Sequence, residues 1–149
     1  MYHHLTASTP HAGVDPIVDP ASALRIIHLA RHDPPVDETI VLLLDAERRG
    51  RCITVVTGTW FPDDVVEVIE RISQVGAEAD TTAAATGRGP AAMVVASCRP
   101  GAGLLDGDID RWLDMSDVAR EHGVELVEWF VVGDGVHCPR DRFGEPPRW

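Results

Sequence analysis

The stretch VVASCRPGAGLLDGDID, residues 94–110, places reactive side chains directly after an apolar run. Ser97, Cys98 and Arg99 follow the run, and Pro100 opens a glycine-containing turn. Loops that connect regular elements often carry catalytic or ligand-binding residues. Serine and cysteine are potential nucleophiles, and cysteines and carboxylates are potential metal ligands. The stretch is therefore the first candidate for a functional site.

Two other chemistries are alternatives within this stretch. Cys98 serves as a nucleophile only if the fold brings an imidazole beside it, from His122 or His137. The acidic run at 106–110 has some of the spacing of a calcium loop, but Arg111 stands where the turn glycine belongs. An acidic helix start explains the same residues better, because negative charge is stabilised at a helix N-terminus.

Hydrophobic periodicity and turn residues predict the elements that position the stretch. Asp19 is a predicted N-cap with proline at the next position, and the prolines at 34–35 end that helix. The continuous apolar run at 40–44 predicts a central strand buried on both faces. The predicted helices lie at 20–33, 61–76 and 107–123, and the predicted strands at 40–44, 52–57, 91–97, 124–132 and 136–138.

The order α-β-β-α-β-α-β-β predicts a single α/β domain with one mixed sheet and antiparallel hairpins at both ends. Glycines at 76 and 123 are the predicted helix ends, and residues 48–50 and 133–135 are the predicted hairpin turns. The chain has no GxGxxG motif after a strand and no lysine for a phosphate-binding loop, which argues against nucleotide-binding folds.

The charge balance favours an acidic, cytoplasmic protein. The 149 residues carry 24 acidic against 13 basic side chains, for a net charge of −11. Such a surface repels phosphate backbones, so nucleic acid is disfavoured, and the arginines of 139–149 are the one basic candidate patch. No apolar run approaches the roughly 20 residues of a membrane helix, and no secretory signal pattern is visible.

Cysteine and histidine usage does not predict a metal or disulfide framework. The chain has 3 cysteines, an odd number without a CxxC pair. His3, His4 and His11 are weak candidate metal ligands in a segment without periodicity, where an untied arm is the simpler interpretation.

Several phrases, in their order along the chain, resemble the JAB/MPN (JAMM) domain, specifically its RadC-like bacterial branch. The resemblance covers roughly residues 36–138 and implies a mixed-sheet fold with the layered architecture of cytidine deaminases. The phrases are LLLD (42–45), TGT (57–59), VVEVIERI (65–72), AAMVVASCRP (91–100) and LVEWFVVGDG (126–135).

The family holds zinc with His-x-His, followed after seven residues by Ser-x-x-Asp, and uses a glutamate as general base. This spacing puts Ser97 and Arg99 in the imidazole positions, Gly107 in the serine position and Asp110 in the carboxylate position. Glu38 matches the general base one position out of register. Serine is a poor zinc ligand and arginine cannot donate a lone pair, so the resemblance implies a degenerate site without zinc or another cofactor.

Arg99 is then expected to supply positive charge where the ion would lie, paired with Asp110. The alternative is that both side chains point into solvent. A pocket formed by Cys98, Pro100, Asp110 and Trp129 is the candidate remnant of the metal site.

By analogy with family members that lack the ligands, we expect a non-catalytic interaction or scaffold module that binds a protein partner or a second copy. Trp60, Phe61 and Trp149 are the candidate partner-binding residues. The alternative is a JAMM-derived hydrolase with a rebuilt site around Ser97, Cys98, Arg99 and Asp110. The predicted organisation is a flexible arm at 1–18, the domain at 19–138 and an Arg/Pro-rich tail at 139–149.

Overall fold

A computed structural model describes residues 9–79 and 89–149. The histidines at positions 3 and 4, and most of the segment joining the second helix to the third strand, lie outside this range. The helices are α1 (Pro20–Ala30), α2 (Pro62–Ala79), α3 (Asp106–Glu121) and α4 (Pro139–Phe143). The strands are β1 (Glu38–Leu44), β2 (Gly50–Thr57), β3 (Ala92–Cys98), β4 (Glu125–Val132) and β5 (Val136–His137).

The five strands form one mixed sheet in the order β2-β1-β3-β4-β5. Strand β1 is antiparallel to both β2 and β3, β3 is parallel to β4, and β5 returns antiparallel to β4. The predicted α/β class, the mixed sheet and the two terminal hairpins are confirmed. Strands β1 and β3 are buried along their whole length, as the apolar run at 40–44 predicts for a central strand.

Helices cover both faces of the sheet, because successive strand residues point to opposite sides and both sides of β1, β3 and β4 are apolar. One core lies under α2 and α3, and the other lies under α1 and the C-terminal residues. The first contains Val41, Val95, Trp112, Trp129 and Val131, among others. The second contains Ile40, Ala96, Cys98, Val127 and Phe130, among others.

Helix α1 begins as predicted, because the Asp19 side chain accepts a hydrogen bond from the Ser22 backbone N–H at 2.7 Å. Helix α2 does not end at Gly76, which was the prediction, but continues to Ala79. The backbone at Gly76 stays helical and lies against Pro90, where an added Cβ would stand 3.5 Å from the proline ring. A glycine thus ends a helix only where the chain turns, as it does at Gly123 with its positive φ of 75°.

The predicted arm at 1–18 is tied to the sheet over its described C-terminal part. The Ile17 backbone N–H donates to the Arg48 carbonyl oxygen at 2.8 Å, and Pro16 forms a β-bridge with Arg49. The Ile17 side chain is 1% exposed, within the core beneath α1. The domain therefore begins before residue 19.

The predicted tail at 139–149 is a packed part of the domain. Arg140 and Glu128, both buried, form an ion pair with 2.9 Å between Nε and Oε2. The Arg148 guanidinium donates to the Leu126 carbonyl oxygen at 2.9 Å and lies 4.6 Å from the Trp112 ring centroid. Residues 139–149 thus cover the edge of β4 that β5 is too short to pair, and we call them the C-terminal strap. No helix in the described parts of the chain is long and apolar enough to cross a membrane.

Candidate functional site

The predicted site loop leaves the C-terminal end of β3 and is held by backbone hydrogen bonds. The Arg99 N–H donates to the Val132 carbonyl oxygen at 2.8 Å, which extends the parallel pairing of β3 and β4. The Ala102 carbonyl oxygen accepts from the Asp134 N–H at 3.2 Å, so the loop rests on the turn after β4. An added Cβ at Gly133 would overlap that carbonyl oxygen, and this close approach requires glycine.

The Arg99 side chain forms a buried, bidentate ion pair with Asp108. Arg99 Nη1 lies 2.6 Å from Asp108 Oδ2, and Arg99 Nη2 lies 2.8 Å from Asp108 Oδ1. Arg99 is 2% exposed and Asp108 is 0% exposed. The same carboxylate also accepts the Leu105 backbone N–H at 2.6 Å, in the last turn before α3 begins. The pair therefore locks the loop to the first turn of α3.

The prediction that Arg99 pairs with Asp110 is wrong, because Arg99 pairs with Asp108. Asp110 is exposed, because a residue two positions beyond Asp108 lies about 200° further around the helix and faces solvent. Gly107, at the position of the family's serine, packs against Pro62 at the start of α2, and an added Cβ would lie 3.3 Å from Pro62 Cγ. The first turns of α2 and α3 therefore touch at this glycine.

Ser97 is enclosed on the α2–α3 side of the sheet. Its hydroxyl oxygen accepts a hydrogen bond from Trp129 Nε1 at 2.9 Å, and both residues are 0% exposed. The neighbouring Thr39 on β1 is bonded to the Thr59 hydroxyl at 2.7 Å. Ser97 thus completes the hydrogen bonding of a buried indole and offers no hydroxyl to solvent.

Cys98 and Glu38 lie on the opposite, α1 side of the sheet. The two residues are paired across β3 and β1, and both are buried. The Glu38 carboxylate accepts from the His32 backbone N–H at 2.9 Å and lies 2.5 Å from His32 Nδ1. Burial, together with the negative charge of Glu38 and against the positive charge of Arg31, raises the pKa of the Cys98 thiol to about 11.

The predicted pocket of Cys98, Pro100, Asp110 and Trp129 is therefore not formed. Cys98 and Trp129 are buried on opposite faces of the sheet, and Pro100 and Asp110 are exposed. The sheet also separates Glu38, on the α1 side, from Ser97 and Arg99, on the α2–α3 side. Across the described ranges, 9–79 and 89–149, no group of three His, Cys, Asp or Glu side chains is arranged to hold a metal ion.

Two of the three predicted partner-binding residues form an exposed aromatic pair next to this loop. The ring centroids of Trp60 and Phe61 are 4.0 Å apart, and the residues are 45% and 51% exposed. They line an open groove of about 340 Å³ between the first turns of α2 and α3, which we call the aromatic groove. The remaining lining residues are Pro62, Asp63, Leu105, Asp106, Gly107 and Arg111.

Trp149, the third candidate, has a different environment. Its ring stacks on Phe130 with 6.4 Å between centroids, at the edge of the core beneath α1. Packing of the C-terminal strap therefore accounts for Trp149.

Asp108 was not predicted as a site residue, although its position at the start of a predicted helix indicates a capping role. Asp108 is the third residue of α3, and a carboxylate at that position commonly bonds back to the N-cap backbone N–H. The family spacing drew attention to the third acid of the run, Asp110, instead.

No protein-family model matches the chain, and no curated protein matches it. Any function proposed for the chain therefore depends on its own sequence and on the geometry of its residues.

Proposed function

We propose that this chain is a non-catalytic, MPN-like domain of the RadC-like type that acts as a protein-interaction module. The element order and the phrases at 42–45, 91–100 and 126–135 support the family resemblance. The buried ion pair of Arg99 and Asp108 supports the non-catalytic part, because it fills the end of β3 where the family would present zinc ligands.

The observation that carries the interaction part is the aromatic groove. Large aromatic side chains are enriched among the residues that dominate binding energies, because they bury a large area at low conformational cost. Trp60 and Phe61 present such an area on the surface, in a groove whose floor is held by the contact of Gly107 with Pro62.

The charges around the groove indicate the partner's chemistry. Asp63 and Asp106 line it, and Arg111 is already engaged by Asp63 at 2.6 Å between Nε and Oδ1. The half-buried Asp64, in the first turn of α2, and the exposed Asp110, just beyond the first turn of α3, add negative charge to the same two helices. The groove is thus suited to a protein segment with one large apolar side chain flanked by lysine or arginine.

A peptide-display selection tests this assignment. Peptides of random sequence are selected on the wild-type protein and counter-selected on the W60A/F61A variant. We expect enrichment of a large apolar residue next to basic residues, with affinities that weaken as salt rises. The matched control is V136A/F143A, which removes an exposed aliphatic and an exposed aromatic side chain elsewhere. A selection that yields no peptides dependent on Trp60 and Phe61 would falsify the interaction assignment.

The non-catalytic assignment has its own test. Purified protein is loaded with zinc, dialysed against buffer and analysed for bound metal. We expect zinc well below one ion per chain, because Ser97 and Arg99 replace the imidazoles. Zinc retained at one per chain, and lost in a D110A variant, would overturn this part of the proposal.

The hydrolase alternative finds little support in the geometry. Among its residues, Ser97 and Cys98 are buried on opposite faces of the sheet, and the Cys98 thiol has a raised pKa. Arg99 is committed to Asp108, and Asp110 points away from all three.

A further inference from the structure

A cavity of about 440 Å³ lies between α1 and the start of β2, and we call it the α1 cavity. Its floor belongs to the core beneath α1, because Ile17 and Leu42 line it and are 1% and 2% exposed. Its walls include Leu29 and Ile53, which are 73% and 45% exposed. Folding thus leaves aliphatic surface uncovered in a recess that reaches the core, which is typical of small-molecule sites.

The wall formed by residues 9–12 is held close to the start of β2. The Gly13 N–H donates to the Gly50 carbonyl oxygen at 3.1 Å, and the Ile17 N–H donates to the Arg48 carbonyl oxygen at 2.8 Å. An added Cβ at Gly50 would lie 4.0 Å from the Ala12 Cα, so the two segments are in close contact. The cavity is therefore part of the folded chain, and a ligand need not order this wall when it binds.

Arg51 brings a positive charge to the α1 cavity through an irregularity of β2. Strand pairing matches Leu43 with Cys52 and Leu44 with Gly50, so Arg51 is the extra residue of a β-bulge. A bulge takes its extra residue out of the regular alternation of a strand and can redirect its side chain. Arg51 is among the residues that line the cavity.

The Arg51 guanidinium is also available to a ligand. Arg51 is exposed, and within the described residues its side chain forms no ion pair or hydrogen bond. The neighbouring arginines differ, since Arg48 pairs with Glu125 at 3.3 Å and Arg49 pairs with Asp45 at 3.6 Å. A guanidinium presents two parallel N–H donors to a carboxylate. Arg51 can therefore hold a carboxylate without breaking an ion pair within the described chain.

The charge of its lining distinguishes the α1 cavity from the other cavities of the described chain. None of the described residues that line it is acidic. The aromatic groove is lined by Asp63 and Asp106, and two further cavities include Asp141 in one and Asp64 with Glu67 in the other. On a chain with a net charge of −11, an anion at the α1 cavity therefore meets a cation and no lining carboxylate.

The lining also selects the apolar part of the ligand. Its described residues include no phenylalanine, tyrosine or tryptophan, and the His11 ring is bonded to Asp15 at 3.1 Å. A flat aromatic ligand thus finds little to stack on. A hydrocarbon chain adapts to irregular aliphatic walls, and each CH₂ group that leaves water strengthens binding. The single guanidinium matches one carboxylate at the end of such a chain.

We propose that the α1 cavity binds a medium-chain aliphatic carboxylate, with the hydrocarbon chain between α1 and β2 and the carboxylate on Arg51. The site is separate from the aromatic groove, and the proposal does not rest on the interaction function.

The charge part of the proposal is tested by calorimetric titration with octanoate and with octanol, its uncharged counterpart, below the concentrations at which they aggregate. Wild type should bind octanoate more tightly than octanol. R51M should weaken octanoate binding about tenfold, the effect of losing a hydrogen bond between charged groups, and leave octanol binding unchanged. R142M is the matched control, since Arg142 is exposed on α4, and it should bind both ligands like wild type.

The location is tested with two leucines on helix surfaces. L29Q should weaken the binding of octanoate and octanol alike, because it places an amide in the aliphatic wall. L113Q is its control, since Leu113 is 40% exposed on α3, and it should leave both unchanged. From hexanoate to octanoate, each added CH₂ should strengthen binding to wild type by up to about fourfold. Circular dichroism and thermal unfolding confirm that the variants are folded.

Several results would overturn the proposal. These are octanol binding as tight as octanoate binding, octanoate binding that is unchanged in R51M, and equal effects of L29Q and L113Q. Failure of the wild-type chain to bind either ligand would also overturn it. That includes the case in which binding appears only after residues 1–8 are removed, because the chain itself would then occupy the cavity.

Discussion

Arg99 and Asp108 form the residue-scale feature that most distinguishes this site. A buried charge is tolerated when it is paired and hydrogen-bonded, and the cost appears when one partner is removed. The carboxylate also holds the Leu105 N–H, so it stabilises both the loop and the start of α3.

Removal of one partner should therefore be costly. We expect Asp108→Ala to lower the free energy of unfolding by about 3–5 kcal/mol, because Arg99 is left buried and uncompensated. Asp110→Ala on the same helix is the matched control and should change it by less than about 0.5 kcal/mol. Urea unfolding followed by tryptophan fluorescence gives both values. Equal effects of the two substitutions would show that the pair does not stabilise the fold.

Thiol chemistry gives a second prediction at this scale. Cys52 is exposed, whereas burial raises the pKa values of the Cys98 and Cys138 thiols to about 11. The thiolate is the reactive form, so at pH 8 only Cys52 should react quickly with a disulfide reagent. The C52S variant should show no fast phase in the folded state and should react fully in denaturant. A fast phase that persists in C52S would place another thiol at the surface.

At the scale of elements, the loop of β3 and the turn after β4 support one another. The Ala102 carbonyl oxygen reaches into space that only a glycine at 133 leaves free. The position of Arg99 thus depends on the far hairpin as well as on its own strand.

This contact predicts that adding one methyl group at position 133 lowers the stability of the protein. Gly133→Ala should destabilise the protein by about 1–3 kcal/mol, because the added Cβ forces the loop and the turn apart. Gly103→Ala in the same loop is the control, since its Cβ would meet no atom closer than 3.8 Å. The two variants are compared by thermal unfolding, and a Gly133→Ala protein as stable as the control would disprove the close packing.

The C-terminal strap gives a pH-dependent prediction. Burial raises the pKa of Glu128 above its ordinary value, against the opposing hydrogen bond and charge of Arg140. Loss of Arg140 removes that opposition, so Arg140→Met should destabilise the fold by about 3–5 kcal/mol at pH 7. The loss of unfolding free energy caused by Arg140→Met should become smaller as the pH falls. The pKa of Glu128 is raised in the folded state, so Glu128 takes up a proton there before it does in the unfolded chain, and this proton uptake favours the fold.

Arg142→Met is the matched control, because Arg142 is exposed on the same short helix. Chemical unfolding at several pH values should show little change for this variant. A cost for Arg140→Met that stays constant between pH 7 and pH 4.5 would contradict the role of Glu128.

The elements were predictable from the sequence where local signals agree with the fold. The Asp19–Pro20 start, the apolar β1 run and the GDG turn each depend on a few adjacent residues. The partner of Arg99 was not predictable from family spacing, since one helical position decides whether an acid faces the loop or solvent. The strap was mistaken for a tail because its prolines and arginines look solvated, while their partners, Glu128 and Trp112, lie far away in the sequence.

At the scale of the whole molecule, charge sets the range of partners. The net charge of −11 is combined with a strap whose arginines are largely committed to internal contacts, Arg140 to Glu128 and Arg148 to Glu145. The arginines at 139–149, the one candidate basic patch in the sequence, are therefore largely neutralised by folding.

Weak nucleic-acid binding is the expected result of this arrangement. We expect a labelled DNA duplex to bind with a Kd weaker than about 100 μM at physiological salt, the weak end of non-specific binding. Fluorescence anisotropy measures it, and Arg142→Ala should leave the result unchanged. Tight binding that declines steeply with salt would instead reveal a basic surface that the folded chain does not display.

Strand β1 has hydrogen-bonded neighbours on both sides and apolar cores on both faces. Its amide protons are therefore shielded from water unless the entire sheet comes apart. In deuterated buffer, the backbone of residues 40–43 should be the last to exchange, at a rate governed by global unfolding. The exchange rate of these few amides would therefore report the free energy of global unfolding of each variant without denaturant.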